Sequence, residues 1–170
     1  MARHIVITGI SGFIGANLAP FLKESEESIV GVSRNSFGDS ISYEELNLDL
    51  LNKSKTLIHL AGKAHDLKKV SLEQDYVSSN TELTKDIFNT FLKSKCETFI
   101  YMSSVKASAD TVQNILTENN LPNPITSYGR SKLAAENYLL SKTISKSKRL
   151  YILRPCMIHG PMNKGNLNLL

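Results

Sequence analysis

The sequence has no tryptophan and only two cysteines, Cys96 and Cys156, in 170 residues. Two distant thiols make no CxxC pair and join no histidine cluster, so no metal site is expected. Reduced thiols in a cytoplasmic protein are the simplest reading. Long apolar runs are missing too. No stretch reaches the roughly 18 apolar residues that a transmembrane helix needs, so no membrane association is expected. Residues 4–8 already read as a strand, which leaves no room for a signal peptide ahead of the first apolar run. Neither sign of charge dominates, with 20 Lys and Arg against 16 Asp and Glu and a net charge of +4. The one basic run, residues 142–149 (KTISKSKR), has no interleaved aromatics. It reads as a solvated helix end and loop, and nucleic-acid binding is not indicated. A hydrophobic fraction of 41% with 21% charged residues suits an ordered globular chain. Its length suits one domain, residues 1–170, with a sizeable core.

Within that frame strands alternate with helices. Short β-branched or apolar runs at residues 3–8 (RHIVIT), 28–33 (SIVGVS), 55–61 (KTLIHLA), 98–103 (TFIYMS) and 149–153 (RLYIL) read as strands. Residues 41–43 suggest a short additional strand, and residues 44–52 a short helix. Helical spacing of apolar residues covers 13–25, 67–93 and 126–142, the last with a strong apolar face. Residues 119–126 (NNLPNPIT) form a Pro/Asn-rich loop. Strands that alternate with helices imply an α/β fold, a doubly wound parallel sheet with right-handed crossovers.

The first strand runs into Thr8-Gly9-Ile10-Ser11-Gly12-Phe13-Ile14-Gly15, a GxxGxxG turn that opens a helix. Glycine supplies the dihedrals of a tight turn, lets a pyrophosphate approach the backbone, and lets the helix sit close to the sheet. The helix N-terminus then offers free N–H groups and positive dipole to the phosphates. The alternative is a plain βα turn. NAD binders place an acid about 20 residues further on, for the ribose hydroxyls. Here the second strand ends on Ser33-Arg34, with no acid before Asp39. Arg34 suits a 2′-phosphate, which leans toward NADP and leaves NAD or NADP open. A solvated arginine is the competing reading.

Tyr128 and Lys132 form YxxxK at the start of a predicted helix. A spacing of four puts both on one face. A nearby ammonium lowers a tyrosine pKa from about 10, so that Tyr128 exchanges a proton near neutral pH. Ser103 and Ser104 end the strand at 98–103, where ligands bind in an open α/β sheet. A serine hydroxyl there suits a hydrogen bond to a reacting oxygen. Each of these pairings also occurs by chance; what distinguishes them is three elements in order, each at the expected element end.

These motifs resemble the extended short-chain dehydrogenase/reductase superfamily, in its NAD-dependent epimerase/dehydratase branch. The matching strings are TGISGFIG at 8–15, IHLAG at 58–62, FIYMSS at 99–104, YGRSK at 128–132 and RPCMIHGP at 154–161. The resemblance implies a Rossmann-type sheet. It implies that Gly9, Gly12, Phe13, Ile14 and Gly15 hold the pyrophosphate, that Leu60, Ala61 and Gly62 line the cofactor ribose, and that Pro155 packs near the nicotinamide. It makes Ser104, Tyr128 and Lys132 catalytic, with Lys132 also holding the nicotinamide ribose and tuning Tyr128. Asn80 stands where the family has an asparagine. The sequence departs from the family in lacking an Asp-hydrophobic pair for adenine, for which Asp49 is a poor substitute. Lys63 and His65 follow IHLAG and read as solvated loop or as substrate contacts.

Dehydratases of the family carry an Asp-Glu pair after the strand-end Ser or Thr; Val105-Lys106 stands there instead, which argues against dehydration. The resemblance leaves a UDP-glucose 4-epimerase-like enzyme acting at C4 of a nucleoside-diphosphate sugar, or an NADPH-dependent 4-keto-sugar reductase of polysaccharide biosynthesis. Residues 164–170 begin an apolar stretch that stops abruptly, so truncation before a C-terminal substrate lobe is expected. That makes a cofactor-binding fragment without turnover a third reading. A homodimer through helices 67–93 and 126–142 is also implied.

Overall fold

The computed structural model describes residues 4–25, 28–35, 38–64, 72–112 and 115–161. Arg3, His65, the start of the expected 67–93 helix and the apolar stretch 164–170 lie outside the described residues. The element order is β1 (His4–Thr8), α1 (Phe13–Glu24), β2 (Ile29–Val32), α2 (Leu48–Asn52), β3 (Ser54–His59), α3 (Glu73–Tyr76), a π-helical turn (Val77–Glu82), α4 (Leu83–Lys93), β4 (Thr98–Met102), a 3₁₀ turn (Val105–Ala107), α5 (Ser127–Leu140) and β5 (Arg149–Leu153).

The five strands are all parallel, in the order β2-β1-β3-β4-β5. The strand expected at 41–43 reduces to one parallel bridge, Ile41 to Val32. The chain leaves the sheet there because the Glu45 carboxylate takes both the backbone N–H and the hydroxyl of Ser42. The bridge still extends the edge beyond β2, which gives the strand order of a Rossmann-type sheet.

Two clusters cover the two faces. On one, Val6, Leu57, Phe99 and Tyr101 of the sheet pack under Leu51 of α2, Ile87, Phe88 and Phe91 of α4, and Leu139 of α5. On the other, Ile7 and Ile58 pack under Ile10 and Ala19. β1 and β3 are buried on both faces, hence their continuous apolar runs. Tyr151 and Leu153 of the edge strand β5 stay half exposed.

Two expectations change in detail. The buried face of α5 is not strongly apolar; it carries Ser131, Lys132 and Glu136 beside Ala135 and Leu139. The basic run at 142–149 is not simply solvated. Lys148 Nζ donates to the carbonyls of Phe91, Ser94 and Cys96 at 2.9, 2.9 and 2.5 Å. It thereby ties down carbonyls at and just beyond the C-terminus of α4. Among the described residues, no helix is long and apolar enough to cross a membrane.

Candidate active site

Between β1 and β3 the order in which strands are added across the sheet reverses, and the loops after both strands open into a cleft of about 510 Å³. Gly9 holds φ +71°, and a Cβ there would lie 2.7 Å from the backbone nitrogen of Ala61. A Cβ on Gly15 would lie 2.5 Å from the Gly9 carbonyl oxygen. These two glycines let the turn, α1 and the end of β3 close on one another. Gly12 differs: its Cβ would meet only the Gly9 oxygen, at 3.1 Å, and the rest of the space is the cleft. Gly12 is the N-cap of α1, with no side-chain cap and no acid in the first turn. The first N–H groups of α1 are therefore left for an anion.

A chain of hydrogen bonds ties this turn to the helix beyond β3. Thr84 Oγ1 donates to the Asn80 carbonyl at 2.7 Å, so it accepts from His59 Nε2 at 2.9 Å. His59 Nδ1 then accepts from Thr8 Oγ1 at 2.6 Å. Every group in the chain is satisfied with a neutral imidazole. Burial, aided by the Lys132 charge, holds His59 neutral with its pKa lowered to about 3. Asn80 lies within the π-helical turn, a distortion common at functional sites. Its side chain accepts from Lys63 N at 2.7 Å and donates to Lys63 O and Ser131 Oγ, both at 3.0 Å. This fixes Gly62 and Lys63 against α5.

On the opposite rim, Thr126 caps α5, accepting from Gly129 N at 3.1 Å. The cap sets the helix start and so places Tyr128 and Lys132 on the face toward the sheet. Lys132 Nζ donates to the Met102 carbonyl at 2.8 Å and sits 4.8 Å from the Tyr101 ring centroid. A Cβ on Gly62 would come within 3.3 Å of it. Burial brings the Lys132 pKa down to about 8, and the Glu136 carboxylate pulls against that fall. Burial pushes the Tyr128 phenol up, opposed by a hydrogen bond with Ser104. The expected lowering of Tyr128 by Lys132 is absent from this geometry, because the ammonium is directed at Met102 rather than at the phenol. Tyr76 meets the Tyr128 ring edge-on at 6.3 Å.

The cleft brings together Gly9, Gly12, Phe13, Ile14, Gly15, Leu60, Gly62, Ser104, Tyr128, Lys132 and Pro155. Ala61 is buried behind it. Ser33 is buried, its hydroxyl engaged with Ser40 Oγ at 2.7 Å. Arg34 is exposed outside the cleft; burial pushes the nearby Tyr43 phenol up, and the Arg34 charge acts against that rise. Asp49 is exposed on α2. Lys63, Lys106 and Lys132 line the cleft, and no carboxylate among the described residues does. An open glycine cradle, an uncapped helix start and a cationic lining fit a dinucleotide pyrophosphate. Sequence reasoning passed over His59, Tyr43, Tyr76 and the pair Glu136 and Arg154, whose partners all lie far away in the chain.

A family model described as the NAD dependent epimerase/dehydratase family matches residues 5–168. The chain is 29% identical, over 98% of its length, to a UDP-glucose 4-epimerase of Vibrio cholerae, of which it covers 55%. It is 28% identical, over 100% of its length, to an N-acetyl-alpha-D-glucosaminyl-diphospho-ditrans,octacis-undecaprenol 4-epimerase of Escherichia coli O157:H7, of which it covers 54%. The chain thus spans about half the length of these curated relatives. A UDP-glucose 4-epimerase from Brucella ovis, solved in complex with NAD, shares the fold with a TM-score of 0.77 at 23% identity, over 90% of this chain and 51% of that one.

Proposed function

The chain belongs to the NAD dependent epimerase/dehydratase family, and from that premise we propose that it is the cofactor-binding half of a nucleoside-diphosphate-sugar 4-epimerase. The observation that carries this reading is the convergence of Gly12, Ser104, Tyr128 and Lys132 on one cleft, which no carboxylate lines among the described residues. Gly12 and the first turn of α1 hold the pyrophosphate, while Leu60, Gly62 and Lys132 line the ribose and Pro155 the nicotinamide. Bound there, a nicotinamide supplies hydride exchange with C4 of the sugar. Tyr128, whose phenol must first lose the proton that burial favours, would accept the proton of the C4 hydroxyl and return it, and Ser104 would hydrogen-bond the reacting oxygen. The absence of an acid pair after Ser104 disfavours dehydration. NAD is favoured as cofactor by the description of the family and by the Brucella ovis neighbour solved with NAD. Arg34, exposed at the end of β2, supports NADP and the 4-keto-sugar reductase as the second reading. Free Cys96 and Cys156 suit the cytoplasm, and α4 and α5 are the faces through which a homodimer forms.

Incubation with UDP-sugars separates these readings. Epimer formation without added reductant is the expected result, whereas oxidation of added NADPH with no epimer selects the reductase. Retained cofactor binding with no turnover selects a binding unit. Tyr128→Phe is expected to cut turnover by about 10²- to 10⁴-fold with cofactor affinity unchanged. An active Tyr128→Phe variant contradicts the proposed role.

A further inference from the structure

Behind the cleft lies a buried polar cluster that the mechanism above leaves unused. Glu136 is 1% exposed, one helical turn beyond Lys132 on α5. Its Oε1 accepts the hydroxyl of Ser103, and Arg154 grips both its oxygens, with Nε at 3.0 Å from Oε1 and 3.1 Å from Oε2 and Nη2 also on Oε2. Arg154 Nη1 donates to Ser108 Oγ at 2.6 Å. Three elements meet here, each next to a candidate site residue: Ser103 precedes Ser104, Glu136 follows Lys132, and Arg154 precedes Pro155. Lys132 and Glu136 hold consecutive residues at the end of β4, one by the Met102 carbonyl and the other by the Ser103 hydroxyl.

A well-packed apolar pair often stabilises a fold as well as a buried ion pair does. What a bidentate guanidinium adds is direction. We propose that Glu136 and Arg154 are a positioning pair, which fixes the main chain at Ser103 and Ser104 and holds the Lys132 ammonium against the Met102 carbonyl. Neither residue touches the reacting atoms. This rests on the proposed roles of Ser104 and Lys132. Among the described residues it identifies Glu136 as the acidic side chain acting on Lys132, whose other titratable neighbours include His59 on β3 and Tyr101 on β4.

The test uses Glu136→Gln, which keeps an acceptor for Ser103 but removes the charge, and Ser103→Ala, which removes one hydroxyl. In the cofactor-free chain, the ¹³Cε resonance of Lys132 is followed against pH. In Glu136→Gln the midpoint is expected to fall by about one unit, the size of effect of losing a nearby opposite charge. Under turnover, both variants are expected to lose about tenfold in kcat with KM within about twofold, a loss seen only in the transition state. An unmoved Lys132 midpoint in folded Glu136→Gln overturns the proposal, as does wild-type kcat in folded Ser103→Ala. A full-length wild-type protein that turns over no nucleotide sugar sinks the proposed function instead, and the Lys132 titration still decides the positioning role.

Discussion

On the rim after β1 and β3, the contacts at the glycines run backbone to backbone. Gly9 and Gly15 meet the main chain of residues 60–61 and 9–10 so closely that a methyl group has no room. On the rim after β4 and β5, the contacts run side chain to side chain, through Ser103, Glu136, Arg154 and Ser108, with Lys132 on a carbonyl. On the proposed reading, the first rim leaves side chains out of the turn so that a ligand reaches helix N–H groups. The second works by burying charge and orienting it. The two rims therefore fail differently. A substitution on the first rim blocks the ligand or the turn, and one on the second leaves a charge stranded.

The largest effect expected from this contrast is at Arg154. Arg154→Met strands the Glu136 carboxylate and is expected to cost about 3–5 kcal/mol in denaturant unfolding. Adding Glu136→Met is expected to restore most of that loss, while the kcat defect remains. If the double variant is as unstable as the single, the cluster is held by packing rather than by charge.

Next in size is the Lys132 ammonium. Folded, it releases its proton near pH 8; unfolded, near 10.5. Between those values the unfolded chain binds more protons, so this group makes stability rise with pH, by about 3 kcal/mol across the window. Below pH 8 its penalty is fully present. Unfolding free energies of the wild type and Lys132→Met, compared at pH 7.5 and 10, check the sign. Equal pH slopes for the two proteins contradict the buried charge.

The same contrast explains what the sequence made legible. The glycine rim is written in consecutive residues: the spacing of Gly9, Gly12 and Gly15 after a β-branched strand needs no tertiary knowledge. Tyr128 and Lys132 are likewise one helical turn apart. The second rim depends on partners 18 to 46 residues apart, Arg154 with Glu136 and Ser108, which no periodicity reveals. Reading α5 as an apolar face hid it further, because Lys132 and Glu136 occupy positions where apolar residues are expected. His59 was concealed similarly, since its partners Thr8 and Thr84 lie on other elements. The strand at 41–43 was overread because propensity does not show that Glu45 captures Ser42.

The smallest change to the fold is the one that tests the account most directly. If the turn after β1 is a phosphate cradle and not merely a tight turn, a side chain at Gly12 obstructs the ligand. Gly12→Ala puts a methyl group into the cleft at a cost to stability of about 1 kcal/mol, the loss of a favourable N-cap and a close contact with the Gly9 oxygen. Titration of the wild type and Gly12→Ala with NADH and NADPH, followed by fluorescence, is the decisive measurement. Saturable binding by the wild type is expected, with affinity at least about tenfold weaker in a folded variant, a difference of about 1.4 kcal/mol. Equal affinity in the two proteins, or no binding by the wild type, would contradict the phosphate cradle.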